Sequence, residues 1–178
     1  MSPGLALRSN LELRGDVRWS DVGTLDCTIA RTLSVIGDRW TLLVLRDAFL
    51  GTRRFEAFQS SLGITRHRLA DRLRKLVQHG VLRRVRYQDA PARFEYRLTE
   101  KGIDLYGVIV MLAGWGDKHM AGRGGPPVER VHRGCGHVTA LRLTCDHCGD
   151  TVTARDMTAR PAGRLRAGRR ARAAEERA

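Results

Sequence analysis

The chain has 178 residues, with 32 Lys and Arg against 19 Asp and Glu, and its formal net charge of +13 is carried almost wholly by arginine. That length allows one ordinary domain with a small appendage, and the charge favours a polyanionic partner, either nucleic acid or an acidic membrane surface. No run approaches the roughly 20 apolar residues of a membrane span. Residues 1–10 lack the long apolar region and cleavage site of a secretory leader, so the chain reads as cytoplasmic, beside the nucleoid if its partner is DNA.

Residues 1–22 carry no sustained periodicity and read as a flexible arm. Residues 23–121 are patterned throughout and form the main domain. Within it, Ile29, Ala30, Leu33 and Ile36 repeat with a helical period, and Gly37-Asp38 interrupts them. Trp40, Leu42, Leu43, Val44, Leu45 and Ala48 then predict a central helix, apolar on most sides, that Gly51 stops. A short helix comes next at 54–61, with Phe55 and Phe58 inward.

Leu62-Gly63-Ile64 makes a turn, and Thr65 is a suitable N-cap for the next helix, expected over Thr65–Gln78. Leu69, Leu73, Leu76 and Val77 give that helix a continuous inner face, and His79-Gly80 ends it. Residues 81–87 and 93–98, rich in β-branched and aromatic side chains, flank Gln88–Ala92 and predict a hairpin. One last helix is expected from Thr99 to about His119, with Leu105, Ile109, Leu112 and Trp115 along one side.

Helix, short helix, turn, amphipathic helix and basic hairpin, in that order, describe a winged helix-turn-helix: a mainly α fold with a β-hairpin wing. The second helix of such a unit enters the major groove with its N-terminal residues towards the bases. Here that end presents Thr65, Arg66, His67 and Arg68, with Arg72 one turn on. Arginine can pair bidentately with guanine or neutralise phosphate. The hairpin carries Arg83, Arg84 and Arg86 on one strand and Arg93 and Arg97 on the other, a charge that suits a wing on backbone or minor groove. Arg86 and Arg93 are its expected contacts.

Several segments together resemble the HxlR-type branch of the MarR-like winged-helix regulators. They are Gly37-Asp38-Arg39-Trp40, Leu45-Arg46-Asp47, Arg54-Phe55 with Phe58, Ile64-Thr65, Leu69 to Leu76, Gly80-Val81-Leu82, and Pro91 leading to Tyr96–Gly102. The likeness spans Cys27–Met120. It implies a transcription regulator that binds a pseudo-palindromic double-stranded operator as a homodimer built from the first and last helices. In relatives of this type a cysteine near the position of Cys27 can sense oxidants or electrophiles, and helix N-termini favour thiolates. Cys27 is therefore a candidate sensor thiol, although Thr28 comes after it where many relatives carry proline.

Gly122–Pro127 is a breaker, and the segment 128–157 beyond it holds a second signal. His132-x2-Cys135-Gly136, nine further residues, then Cys145-x2-Cys148-Gly149 form two knuckles. A pair of ligands at that spacing turns back on itself, so that both side chains reach one ion. Four such ligands meet the tetrahedral demand of structural zinc. His132, Cys135, Cys145 and Cys148 are the expected set, with His137 and His147 as alternatives to His132. Val138–Thr144 and Thr151–Ala154 alternate like strands, so a small β zinc-ribbon-like appendage is expected. About thirty residues cannot bury a core of their own, which also argues for metal. From Thr158 onward the Arg-rich composition predicts a tail without a core.

Two rival readings carry different chemistry. An enzyme centred on zinc or Cys27 is disfavoured, because no Ser/His/Asp set, phosphate-cradling glycine loop or HExxH helix is visible. An RNA-binding module using the ribbon and tail separates from an operator reader by specificity ratio. The residues identify neither a small-molecule nor a redox effector, although a ligand pocket could lie between the central helices and the dimer helix.

Overall fold

The computed structural model describes residues 18–160, which fall into two compact units, residues 18–141 and 142–160. The proposed arm up to residue 17 and the tail from residue 161 lie outside the described residues. Within the first unit a 3₁₀ helix, Trp19–Thr24, precedes α1 (Thr28–Ile36) and packs on it. Regular structure thus begins inside the segment expected as an arm. Arg31 of α1 secures this contact by reaching back, bonding the Leu25 carbonyl at 3.0 Å and the Asp26 carboxylate at 2.8 Å.

Helix α2 (Arg39–Phe49) is the centre of the unit. Asp38 caps it, accepting from the N–H groups of Trp40 and Thr41 and so satisfying two of the donors a helix start leaves free. Val44 and Leu45 of α2 are fully buried, as are Phe58 of α3 (Phe55–Leu62) and Leu69, Leu73 and Leu76 of α4 (Arg66–Gln78). Gly63 (φ 59°) makes the turn from α3 to α4, a conformation that a side chain would strain.

The hairpin pairs β1 (Leu82–Gln88) with β2 (Arg93–Leu98) antiparallel, Arg84 opposite Tyr96 and Arg86 opposite Phe94, with a bulge before Gln88. A third stub joins it. The Tyr96 N–H donates to the Arg53 carbonyl at 2.8 Å, and Arg54 bridges Glu95, so the entry to α3 lies along the hairpin edge.

The end of α4 is tied to the segment just after the hairpin. The Thr99 hydroxyl donates to the Gly80 carbonyl at 2.6 Å, and Lys101 Nζ to the His79 carbonyl at 2.8 Å. Gly102 packs so closely that a Cβ there would sit 2.2 Å from the Val81 carbonyl oxygen. The two side-chain bonds cover carbonyls that a helix C-terminus otherwise leaves unpaired.

The single last helix expected from Thr99 to His119 is two: α5 (Glu100–Ile103) and α6 (Tyr106–Met120), broken at Asp104-Leu105. The break arises because α5 is set by the Thr99 cap and the Gly102 contact, whereas α6 must lie against α2. Its apolar stripe divides accordingly. Leu105 and Ile109 pack on the core, while Leu112 and Trp115 remain more than half exposed.

No residue from 121 to 160 is buried. The strands expected over Val138–Thr144 and Thr151–Ala154 are reduced to isolated bridges, Val131 with Val138 and Thr144 with Thr151. Without an apolar face to cover, alternation alone does not build a ladder. Among the described residues no helix is long and apolar enough to cross a membrane.

Candidate nucleic-acid interface

The N-terminal turn of α4 stands clear of the core because its inner face is filled from Leu69 onward. Thr65 is the N-cap residue, yet its side chain makes no capping bond. It is exposed beside Arg66, His67 and Arg68, all exposed as well. Arg68 pairs with no carboxylate among the described residues and projects its charge into solvent, whereas His67 Nε2 lies 3.2 Å from the Asp71 carboxylate.

Arg72 is placed differently. Its Nε donates to Asp38 Oδ1 at 3.0 Å, and both side chains are largely covered. Burial pushes the Asp38 carboxyl up, but the Thr41 hydroxyl and N–H and the Arg72 guanidinium outweigh it and hold the group below its ordinary value of 3.8. Arg72 would have to leave Asp38 to reach a base.

On the wing, Arg86 folds back over the turn, bonding the Asp89 carbonyl at 2.9 Å and its carboxylate at 3.1 Å. Arg93 begins β2, exposed. Two residues outside the expected contact set join this face. Arg54 lies over the Tyr87 ring, 4.7 Å from its centroid, and Arg84 over Phe94 at 3.5 Å; Arg66 lies likewise over Phe55 at 4.7 Å. Sequence spacing could not bring Arg54 to the hairpin, because the bridge to Glu95 is non-local. Arg84 was visible only as one basic strand residue among three.

Cys27 is the N-cap of α1, partly buried, and its side chain makes no capping bond. A cavity of about 270 Å³ opens between α1 and the residues leading into α6, lined by Val35, Ile36, Val81 and Leu105 together with Arg31 and Lys101. Its lining includes no residue of α2, α3 or α4, the central helices against which a ligand pocket was expected.

The two knuckles have the same backbone pattern. In the first, the Gly136 N–H donates to the His132 carbonyl (2.7 Å) and the His132 N–H to the His137 carbonyl (3.0 Å). In the second, the Gly149 N–H donates to the Cys145 carbonyl (2.9 Å) and the Cys145 N–H to the Asp150 carbonyl (2.8 Å). Gly136 and Gly149 both adopt positive φ, 72° and 79°. His132 Nδ1 lies 3.3 Å from Cys135 Sγ. The N–H groups of Cys148 and His147 hold the Cys145 thiol below its usual value. Among the described residues no three His, Cys, Asp or Glu side chains converge as a metal site.

Comparison with known proteins agrees with the fold. Residues 35–123 match the model of the HxlR-like helix-turn-helix family. Rv3095 of Mycobacterium tuberculosis (strain ATCC 25618 / H37Rv), described as an uncharacterized HTH-type transcriptional regulator, is 48% identical over 134 residues, spanning 75% of this chain and 85% of that one. The crystal structure of PA1607, a transcription-factor candidate, superposes with a TM-score of 0.71 at 37% identity, covering 79% of this chain and 98% of that one. The oxidized form of the redox regulator HypR is similar at a TM-score of 0.50 and 31% identity, over 54% and 100% of the two chains. The family and these relatives are regulators rather than enzymes, and the mainly helical fold with its two-stranded hairpin is that of a winged helix. The chain belongs to the HxlR-like helix-turn-helix family of transcriptional regulators.

Proposed function

We propose that the protein binds a pseudo-palindromic operator as a homodimer, with α4 in the major groove and the β1–β2 wing on backbone or minor groove. One observation carries this reading: the exposed start of α4 and the arginines of the wing form one basic face, backed by the buried inner residues of α4. Thr65, Arg66, His67 and Arg68 are the proposed contacts from α4, Arg86 and Arg93 those from the wing. Arg72 joins them only by exchanging Asp38 for DNA. A gel shift comparing the promoter beside the encoding gene, random DNA and RNA at stated salt tests this. Preference for the promoter by 10³-fold or more is expected, on the order of known specific binders; equal binding to all three would overturn it. A cytoplasmic location accords with such a partner.

The homodimer is supported by apolar surface without cover. Ile29 and Leu33 on α1, and Val108, Leu112 and Trp115 on α6, are exposed together with Tyr106 and Met111, more than scattered surface residues require. Cys27 remains the candidate redox group. Alkylating it and measuring operator affinity decides the matter, because a sensor thiol must change that affinity.

We further propose that His132, Cys135, Cys145 and Cys148 hold one structural zinc ion. Ligand spacing supports this, and so does the common knuckle backbone, whose glycines let N–H groups approach the thiolates. A segment with no buried residue has little else to order it. Protein purified without chelator should contain about one zinc per chain; absence of zinc with the segment still protease-resistant would remove the proposal.

A further inference from the structure

Between the start of α4, the start of α3 and the wing lies a groove of about 650 Å³. Arg54, Arg66, Arg84 and Arg93 line it, against a single carboxylate, Glu56. Its floor is aromatic, and three of the four arginines lie over a ring: Arg54 on Tyr87, Arg66 on Phe55 and Arg84 on Phe94. We propose that this groove is a clamp for a phosphodiester of the DNA backbone, with Arg66 and Arg84 as its two jaws. The inference rests on the DNA-binding reading and names the part of the ligand this groove takes.

The chemistry selects backbone over base. A guanidinium over a ring keeps its N–H edge free, and that edge matches the oxygens of a phosphate. On Tyr87, Phe55 and Phe94 a guanidinium already occupies one ring face, so that face is not offered to a base. No Asn or Gln lines the groove to read a base edge. Arg54 is part-compensated by Glu95 at 3.8 Å, whereas Arg66 and Arg84 pair with no carboxylate among the described residues. Stacking also fixes these long side chains before DNA arrives, which lowers the ordering cost of binding.

The jaws come from different parts of the chain, α4 and β1. A strand held between them is gripped by the reading helix and the wing at once, which sets how deep α4 lies in the groove.

The test measures affinity for a random-sequence duplex across a range of salt, for wild type, Arg66→Gln, Arg84→Gln and Phe94→Leu, with thermal melts as a check on folding. Each arginine variant should flatten the plot of log affinity against log salt by about 0.9, the equivalent of one phosphate. Each should also weaken operator and random DNA by the same factor. Phe94→Leu keeps the charge and loses the platform, so affinity should fall several-fold with the slope unchanged.

Wild-type slopes in both arginine variants would overturn the clamp and leave DNA binding standing. A wild-type protein that binds no duplex would overturn both. Replacing chloride by inorganic phosphate at constant ionic strength separates a free anion from the backbone. Displacement of DNA from wild type but not from Arg84→Gln is expected if a backbone phosphate shares the groove. Phosphate that raises the melting temperature of wild type but not of Arg84→Gln, with DNA affinity unchanged, would assign the groove to a free anion and overturn the clamp.

Discussion

Arg72 on the reading helix donates to Asp38, the residue that caps α2, over 3.0 Å. One bond thus joins the start of the central helix to the middle of α4. Its loss should register first in stability. Arg72→Ala is expected to cost about 1 kcal/mol in urea denaturation, since the pair is mostly covered but Asp38 keeps its bonds to Thr41. Wild-type stability with a tenfold loss of operator affinity would show instead that Arg72 leaves Asp38 to read DNA.

The same carboxylate sets an acid limit. Its pKa is held below 3.8 in the folded chain, so the unfolded chain takes up its proton first as pH falls. The stabilisation from Asp38 is therefore complete above the ordinary carboxylate range, and shrinks as pH drops through that range towards the folded-state value. Melting temperature tracked from about pH 7 down to about pH 3 should fall less steeply for Asp38→Asn than for wild type, from a lower starting point.

Arg68 is exposed and pairs with no carboxylate among the described residues, so its removal should leave the fold intact. Arg68→Ala should weaken operator binding by about 1–3 kcal/mol if it pairs with a base, and relax specificity at one position. Equal loss on every sequence would assign it to phosphate.

Trp115 and Leu112 are exposed on α6 beyond the part that packs on α2. Placing a carboxylate there, as in Trp115→Glu, should halve the mass measured by light scattering and leave circular dichroism of the helices unchanged. An unaltered mass would move the dimer contact elsewhere.

Chelation probes the knuckles. With zinc removed, or in Cys145→Ser, protease cleavage between residues 128 and 157 should accelerate while the melting of the helical unit stays put. Equal cleavage with and without chelator would mean that the knuckles order themselves by their backbone bonds alone.

Much of this architecture is local and therefore legible in the residues. Leu69, Leu73 and Leu76 recur at helical spacing and are all buried, and the glycines at 51, 63 and 80 stand at helix ends with positive φ. The features that escaped are non-local. Arg72 lies on the same turn as Asp71 and reads as outward until Asp38, thirty-four positions earlier, is known to face it. Arg54 and Arg84 converge only through hairpin register and the Glu95 bridge. The break at Asp104-Leu105 depends on where α2 lies, which no apolar stripe on α6 encodes.

The bonds from Thr99 and Lys101 to the end of α4 have a mechanical meaning. Helix α4, the wing and the start of α5 form a closed frame, fastened at His79 and Gly80 by those two side chains and wedged at Gly102. Such a frame holds its parts in one mutual orientation, and the helix is interrupted at Asp104-Leu105 just outside it. A turn of that frame would change the angle of the proposed DNA-contacting arginines together, and leave unchanged which arginines are offered.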